Sequence, residues 1–242
     1  METAVLSGPL AAQFADEGFV VLPNFYAPAE TAALLRAVES AAGSGPNFRR
    51  NQEVFAIRAM LQEIPGLWLL LDSVALRELL ARLFPAGCGL VKAIYFDKPA
   101  GSNWLVPWHQ DLMINVDQRA DLPGFGPWTS KAEGVSVQPP LAVLENVVTL
   151  RIHLDDCDAT NGALKVGPGS HRRGVVPAAA IAGLTPGASS CAVPAGGAML
   201  MRPLLLHASS RSTSHRPRRV MHLEFASVEL PAGLAWRERH SV

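Results

Sequence analysis

The 242-residue chain is 49% hydrophobic and 17% charged, a globular balance that excludes a disordered polymer and supplies one proper core. Lys+Arg and Asp+Glu stand at 21 each, so no net field draws it to nucleic acid or an anionic membrane. No apolar run approaches the roughly eighteen residues of a membrane span, and METAVLSGPLAAQFADEG lacks the basic start and apolar run of a secretory signal.

The first third predicts helices. Ser7 is placed to cap a helix running through Leu10 and Phe14 to Gly18, with a short strand over Phe19 to Leu22 after it. A second helix starts near Pro28, carries Leu34, Leu35 and Val38 on one face, and stops at Gly43. A third starts at Ser73 and buries Leu76, Leu79, Leu80 and Leu83 before Pro85. Beyond Cys88 the texture changes to short apolar or alternating runs between Gly/Pro clusters: CGLVKAIYF, NWLVPWH, VVTLRIHL, GALKV, SSCAV, GAMLM and RVMHLEFA. Many short strands with turn signals between them predict a β-sandwich or barrel. The expected class is therefore α+β with a mainly β core. One domain would span 1–242, with a helical buttress over about 1–85 and the core over about 88–228. The stretch 112–141 is rich in Gly, Pro and Asp and has little periodicity, so it is expected to be a substrate loop or lid. Cys88, Cys157 and Cys191 have no metal-binding spacing and cannot all pair, which suits a reducing cytoplasm.

Two segments carry chemistry. In VVTLRIHLDD, Val148, Leu150, Ile152 and Leu154 share one face while Thr149, Arg151, His153 and Asp155 share the other, which either meets solvent or lines a polar pocket. Trp108-His109-Gln110-Asp111 sets an imidazole and a carboxylate two residues apart, on one face if the segment is a strand. Alone, such a pair is ordinarily a surface histidine beside an acid. Near the other end, His207 closes an apolar run and Arg218 follows eleven residues later. Alone, His207 would be a strand-end histidine, and Arg211, Arg216, Arg218 and Arg219 a solvated basic turn. Taken together, two histidines and a carboxylate make the facial triad of non-haem Fe(II), and an arginine suits the far carboxylate of an oxo-acid.

On these residues the chain resembles the phytanoyl-CoA dioxygenase-like Fe(II)/2-oxoglutarate oxygenases. The resemblance covers nearly the whole length: DEGFVVLPNFYAPAETAALLRAVE, FDKPAGSNWLVPWHQD, LRIHLDDCDATNGALKVGPGSH and the closing H-A-S…R-P-R-R. It implies a double-stranded β-helix (jelly roll, cupin-like) supported by N-terminal helices. It implies His109, Asp111 and His207 as catalytic iron ligands, with 2-oxoglutarate and O2 as cosubstrates. Arg218 would bind the far carboxylate of 2-oxoglutarate, assisted by Ser209, with Arg151 and Ile94 lining the cosubstrate pocket. Related halogenases replace the carboxylate ligand by a small residue, so Asp111 favours hydroxylation. The departure from the family pattern is Arg211, where many members have Asn.

Gln138, Trp128 and Arg151 are the candidate substrate contacts, for a compact polar small molecule. His171 of PGSH is expected to be structural, and His153 and His222 to be strand residues satisfied by neighbours, although His222 and Glu224 lie on the side of Arg218. Cys157 has no base partner and is assigned no catalysis. Trp104, Trp108 and Trp128 stay open between core and pocket wall. Two other classes remain as alternatives: a Zn-dependent hydrolase on the same triad and a non-catalytic jelly-roll binding protein. No nucleic-acid or membrane partner is expected, and oligomeric state is not set by these residues.

Overall fold

The computed structural model describes residues 6–41, 43–50, 54–98, 104–132, 134–185 and 187–242. Its helices are α1 (Gly8–Glu17), α2 (Pro28–Glu39), α3 (Met60–Glu63), α4 (Leu67–Leu71), α5 (Val74–Leu83) and α6 (Leu141–Glu145). The strands from the first half are β1 (Phe19–Leu22), β2 (Phe48–Arg50), β3 (Val54–Arg58), β4 (Gly89–Asp97), β5 (Val106–His109) and β6 (Ile114–Val116). Then come β7 (Trp128–Lys131), β8 (Gly134–Val137), β9 (Val147–His153), β10 (Leu164–Val166) and β11 (Ser189–Ser190). The last are β12 (Ala198–Met201), β13 (His207–Ser209), β14 (Arg219–Ala226) and β15 (His240–Ser241).

Helix ends follow local chemistry. α1 stops where Gly18 adopts φ 82°, open to glycine at no steric cost. Ser7 stands at its N-cap but makes no side-chain cap bond; the helix begins instead on a proline in its first turn, whose missing N–H leaves no orphan donor. In α2, the Glu30 carboxylate accepts from the Ala27 N–H at 2.7 Å, and the helix closes at Ser40, short of the expected Gly43. α5 has the expected cap, Ser73 Oγ accepting from Leu76 N–H at 3.1 Å. Leu76, Leu79 and Leu80 are buried, each stabilising by about 1.5–3 kcal/mol, whereas Leu83 is only half-buried. α3, α4, β2 and β3 are too short to show a period and were not expected within a helical buttress.

The large antiparallel sheet runs β1-β12-β9-β14-β4-β3-β2, with β15 also on β4. A second sheet runs β11-β10-β13-β5 and a third β6-β8-β7. One face of the large sheet, with Leu150, Ile152, Leu200, Met221 and Leu223, packs on Phe14, Leu34, Leu76 and Leu79 of the helices. The opposite face carries Thr149, Arg151, His153, Lys92, His222 and Glu224, all buried. Solvent exposure is therefore excluded as the meaning of the β9 alternation: its polar side lines the interior. Phe19, Leu164, Val166, Met199, Met201 and Leu205 join the large and second sheets in one cluster. Helices outside, two antiparallel sheets face to face, and a polar interior between them make a double-stranded β-helix.

The segment 112–141 is not irregular throughout. It holds β6, β7 and β8, whose Ile114, Val116 and Val137 pack with Val91, Val147 and Trp236. Glycine, proline and short strands hid that alternation from a periodicity argument. Among the described residues no helix is long and apolar enough to cross a membrane. Cys88, Cys157 and Cys191 are free thiols.

Candidate metal centre

Strand pairing supplies the first contact across the sequence. β13 lies antiparallel to β5 with His207 directly opposite His109, and the imidazole centroids are 4.2 Å apart. The register slips by one residue before Ser209 meets Val106, within a stretch of β5 that includes Pro107, which has no N–H to donate to the ladder. Asp111 does not share a strand with His109, contrary to the sequence expectation. β5 ends at His109, and beyond it Asp111 N–H donates to Pro203 O at 2.9 Å. Buried Gln110 anchors this stretch: its amide donates to Leu204 O (2.7 Å) and Gly174 O (2.8 Å) and its carbonyl accepts from Val176 N–H (2.8 Å). Asp111 Oδ1 thereby lies 3.7 Å from His109 Nε2, and Oδ2 3.6 Å from His207 Nε2.

The donor set fits a metal. His109 Nδ1 lies 2.8 Å from Pro107 O and His207 Nδ1 2.9 Å from Leu205 O. A carbonyl can only accept, so both neutral rings carry the proton on Nδ1 and turn an Nε2 lone pair toward Asp111. Asp111 Oδ2 is a buried oxygen with no hydrogen-bond partner, a costly state that cation binding relieves. One atom from each of the three residues falls within a sphere of mutual distances up to 4.8 Å. Burial pushes the His207 imidazole down to about 4, although Asp111 opposes it, so protons do not compete for this ligand near neutrality. Burial acts to raise the Asp111 carboxyl, but the imidazoles of His207, His222 and His109 and the Lys92 ammonium outweigh it and hold the group well below the carboxylate range.

Two cavities meet at this triad, since His109 and Asp111 line both. The smaller, about 190 Å³, is closed by Phe96, Trp104, Arg151, Leu164, Ser209, Arg218 and His222 together with His207. The larger, about 310 Å³, is walled by Arg58, Lys92, Ile94, Leu112, Met113, Thr129 and Lys131 among others. Arg218 Nη1 donates to Gly162 O and, at 3.3 Å, to Ser209 Oγ. Gly162 has φ +84°, and a Cβ there would stand 2.8 Å from Ser210 O, so the N-G pair of the motif is a backbone requirement. Asn161, fully buried, ties this loop down by donating to Asp156 O (2.7 Å) and Pro217 O (3.3 Å). Burial lowers the pKa of Arg218, and burial with the neighbouring Arg218 brings Arg151 down to about 10. An Arg151 N–H meets His222 Nδ1 at 2.9 Å, and His222 Nε2 lies 3.1 Å from Glu224 Oε1.

Of the residues expected at the site, His109, Asp111, His207, Arg218, Ser209 and Arg151 come together. Ile94, expected in the cosubstrate pocket, lines the larger of the two cavities, with His222 opposite it in the β4–β14 register. Trp128 and Gln138 line neither cavity. The Trp128 ring packs on the Ile114 cluster with Arg119 above it at 5.9 Å, and Gln138 lies just past β8 with its backbone bonded to Gly126 and Pro127. Trp104 is pocket wall; Trp108 is half-buried outside both cavities. His171 is far from the triad, its Nε2 3.3 Å from Ala15 O at the end of α1. His222 is satisfied as expected, but His153 is not: it is buried beside Arg151 and Arg218 with no hydrogen-bond partner on either ring nitrogen, and burial holds it well below its ordinary pKa. The signals missed in the sequence were Gln110, sitting between two ligands, and the polar face of β4, where Lys92 pairs with Glu224 at 2.8 Å.

The family described as Phytanoyl-CoA dioxygenase (PhyH) matches residues 14–220. Among solved structures, AviO1 from Streptomyces viridochromogenes Tue57 is 21% identical, with a TM-score of 0.68, covering 95% of this chain and 99% of its own. EctD from S. alaskensis, solved with 2-oxoglutarate and 5-hydroxyectoine, is 20% identical with a TM-score of 0.73, over 94% of this chain and 78% of that one. SnoK, a non-heme alpha-ketoglutarate-dependent carbocyclase of nogalamycin biosynthesis, is 17% identical with a TM-score of 0.68, over 93% and 85%. At these identities the likeness establishes the fold. None of the curated proteins matches the chain.

Proposed function

The chain belongs to the phytanoyl-CoA dioxygenase family of Fe(II)/2-oxoglutarate-dependent oxygenases, and from that premise we propose that it hydroxylates an unactivated C–H bond of a small molecule, releasing succinate and CO2. The observation that carries this is the junction of two cavities at one His-Asp-His triad, the smaller of them ending on a buried arginine. A metal with two separately housed organic partners needs that plan; a hydrolase or a simple binding pocket does not.

His109, Asp111 and His207 would hold Fe(II), oriented by the carbonyls of Pro107 and Leu205. The chemistry supplied by Fe(II), 2-oxoglutarate and O2 when bound is oxidative decarboxylation coupled to oxygen insertion into substrate. Arg218, with Ser209 beside it, receives the far carboxylate of 2-oxoglutarate through its planar fork. Arg151 keeps a second cation in that cavity, its orientation set by the His222–Glu224 pair. Phe96, Trp104 and Leu164 supply apolar wall that limits water. Leu112, Met113, Thr129 and Lys131 put the 112–141 segment over the larger cavity, supporting its role as the substrate cover. Three free cysteines favour a reducing compartment such as the cytoplasm.

The test is an anaerobic titration of metal-free protein with Fe(II) and 2-oxoglutarate, followed in the visible. A weak charge-transfer band that needs both additions is expected. Tight Zn(II) binding with no such band would favour a hydrolase, and no metal binding at all would leave a binding protein.

A further inference from the structure

One buried row of polar side chains joins the two cavities that meet at the triad. On the interior face of the large sheet, Glu224 of β14 stands opposite Lys92 of β4, and His222 of β14 opposite Arg151 of β9. His222 and Glu224 are two residues apart on one strand and so share that face. All four side chains are buried. Lys92 lines the larger cavity and not the smaller, whereas Arg151 and His222 line the smaller and not the larger. Glu224 lines neither and stands between them.

The hydrogen bonds along the row fix where its protons lie. Lys92 Nζ donates to Met113 O and to Glu224 Oε1, both at 2.8 Å. His222 Nε2 lies 3.1 Å from the same Oε1, and His222 Nδ1 lies 2.9 Å from Arg151 Nη1. A guanidinium can only donate, so the neutral His222 ring keeps its lone pair on Nδ1 and its hydrogen on Nε2, which donates to Glu224. Burial acts to raise the Glu224 carboxyl, but Lys92 and His222 outweigh it and hold the group below its ordinary value, an acceptor for both donors. The opposite tautomer would set an Nδ1–H against an Arg151 N–H. Arg151 Nε is buried and has no hydrogen-bond partner among the described residues. An incoming carboxylate relieves that desolvated donor, provided the guanidinium is held in place.

We propose that Glu224 is a positioning residue that couples the two cavities. It fixes the His222 tautomer that aims Arg151 at a carboxylate of 2-oxoglutarate, and it shares the oxygen that does so with Lys92 of the other cavity. This rests on the oxygenase reading above and adds to it a link between substrate and cosubstrate binding. The two-state element is the His222 ring, whose Nε2–H tautomer accepts from Arg151 and whose Nδ1–H tautomer repels it. Met113, the second acceptor of Lys92, belongs to the 112–141 segment over the larger cavity, so the row begins at the substrate cover. Linkage is reciprocal: a molecule that contacts Lys92 and 2-oxoglutarate at Arg151 change one another's affinity by the same factor. Loss of the charge-assisted bond that steadies Arg151 weakens cosubstrate binding by about tenfold.

The test has two arms. Nitrogen-15 spectra of histidine-labelled, metal-free protein at about pH 8, above the ordinary histidine range, should show His222 neutral with its hydrogen on Nε2; His222→Gln assigns the signal. In the second arm, the 2-oxoglutarate dissociation constant of the Fe(II)-loaded protein is read anaerobically from the visible band. Glu224→Gln should weaken 2-oxoglutarate by about tenfold, although loss of a negative charge would by its field alone tighten an anion. Lys92→Met, in the other cavity, should weaken it similarly. In an Arg151→Met background neither change should weaken it further, because both act through Arg151. If a single variant unfolds, the paired Lys92→Met/Glu224→Gln replaces it, since that pair leaves no buried charge without its partner; about tenfold weaker binding is expected there too. An Nδ1–H or doubly protonated His222 in the wild type overturns the proposal. So does unchanged or tighter 2-oxoglutarate binding in Glu224→Gln or the paired variant, or a Lys92→Met loss that persists undiminished without Arg151. A wild type without the visible band refutes the oxygenase reading, and this proposal falls with it; the other outcomes overturn this one alone.

Discussion

Arg218→Met separates the roles of metal and cosubstrate sites. The Arg218 side chain is buried, 6% exposed, and its bonds go to Gly162 O, Ser209 Oγ and the Cys157 side chain, none of them a carboxylate. Arg151 adds a second buried cation to the same cavity. An incoming carboxylate thus meets a guanidinium that is already desolvated, and removing one partner of such a pair costs about 3 kcal/mol or more. That raises the 2-oxoglutarate dissociation constant by at least about a hundredfold. The assay is the anaerobic Fe(II) titration with a thermal arm. At a hundred times its dissociation constant, 2-oxoglutarate adds about 2.7 kcal/mol to the wild type, or about 5–10 °C for a chain of this size. In the variant the same concentration falls near the new dissociation constant and adds about 0.4 kcal/mol, a shift of about 1 °C. The ligand-free variant should melt no lower than wild type, because a buried cation beside Arg151 has been removed. Undiminished 2-oxoglutarate affinity, or a parallel loss of Fe(II) affinity, would refute the assignment.

His207→Ala should abolish Fe(II) binding and turnover while far-ultraviolet circular dichroism stays native; a surviving Fe(II)-dependent band would remove His207 from the triad. For pH, the folded-state pKa of His207, about 4, lies below the unfolded value of about 6.5. The unfolded chain then binds more protons in that window, so the metal-free protein loses up to about 3 kcal/mol as pH falls from about 6.5 to about 4. Thermal melts in chelator should show this, and His207→Ala should flatten the dependence; an equally steep curve in the variant would place the titration elsewhere. Arg219→Ala removes a fork that holds Asp155 at 2.7 and 2.8 Å and Glu39 at 2.6 Å, tying the start of β14 to the end of β9 and to α2. Loss of about 2 kcal/mol is expected, with a higher 2-oxoglutarate requirement because Arg218 is the next residue. An unchanged melting temperature would show the clamp to be idle.

Much of the site was legible because its chemistry depends on residue type and spacing. His109, Asp111, His207 and Arg218 stand out since few chains place two imidazoles, a carboxylate and a trailing arginine in that order, and the β9 alternation announced a polar face. Of the three helices long enough to show a 3.6-residue period, α1 and α5 match expectation because one is ended by a glycine and the other begun by a serine cap, whereas α2, with neither, closes at Ser40 before Gly43. The strands hidden in 112–141 were not legible, because three or four residues between glycines and prolines carry too little alternation to count.

By itself the sequence singled out His109, Asp111, His207 and Arg218, and predicted a β core backed by N-terminal helices. Only the tertiary structure decided that the β9 polar face looks inward, that Asp111 reaches both histidines from beyond the end of β5 on a stretch anchored by Gln110, and that Ile94 faces the larger cavity while Trp128 and Gln138 face neither. It also placed Arg58 and Lys131 on the walls of a cavity that reaches His109 and Asp111. The physical reason is that side-chain period is local, whereas sheet register and the packing of one sheet on another arise from pairings between distant strands. His207 opposite His109 is such a pairing.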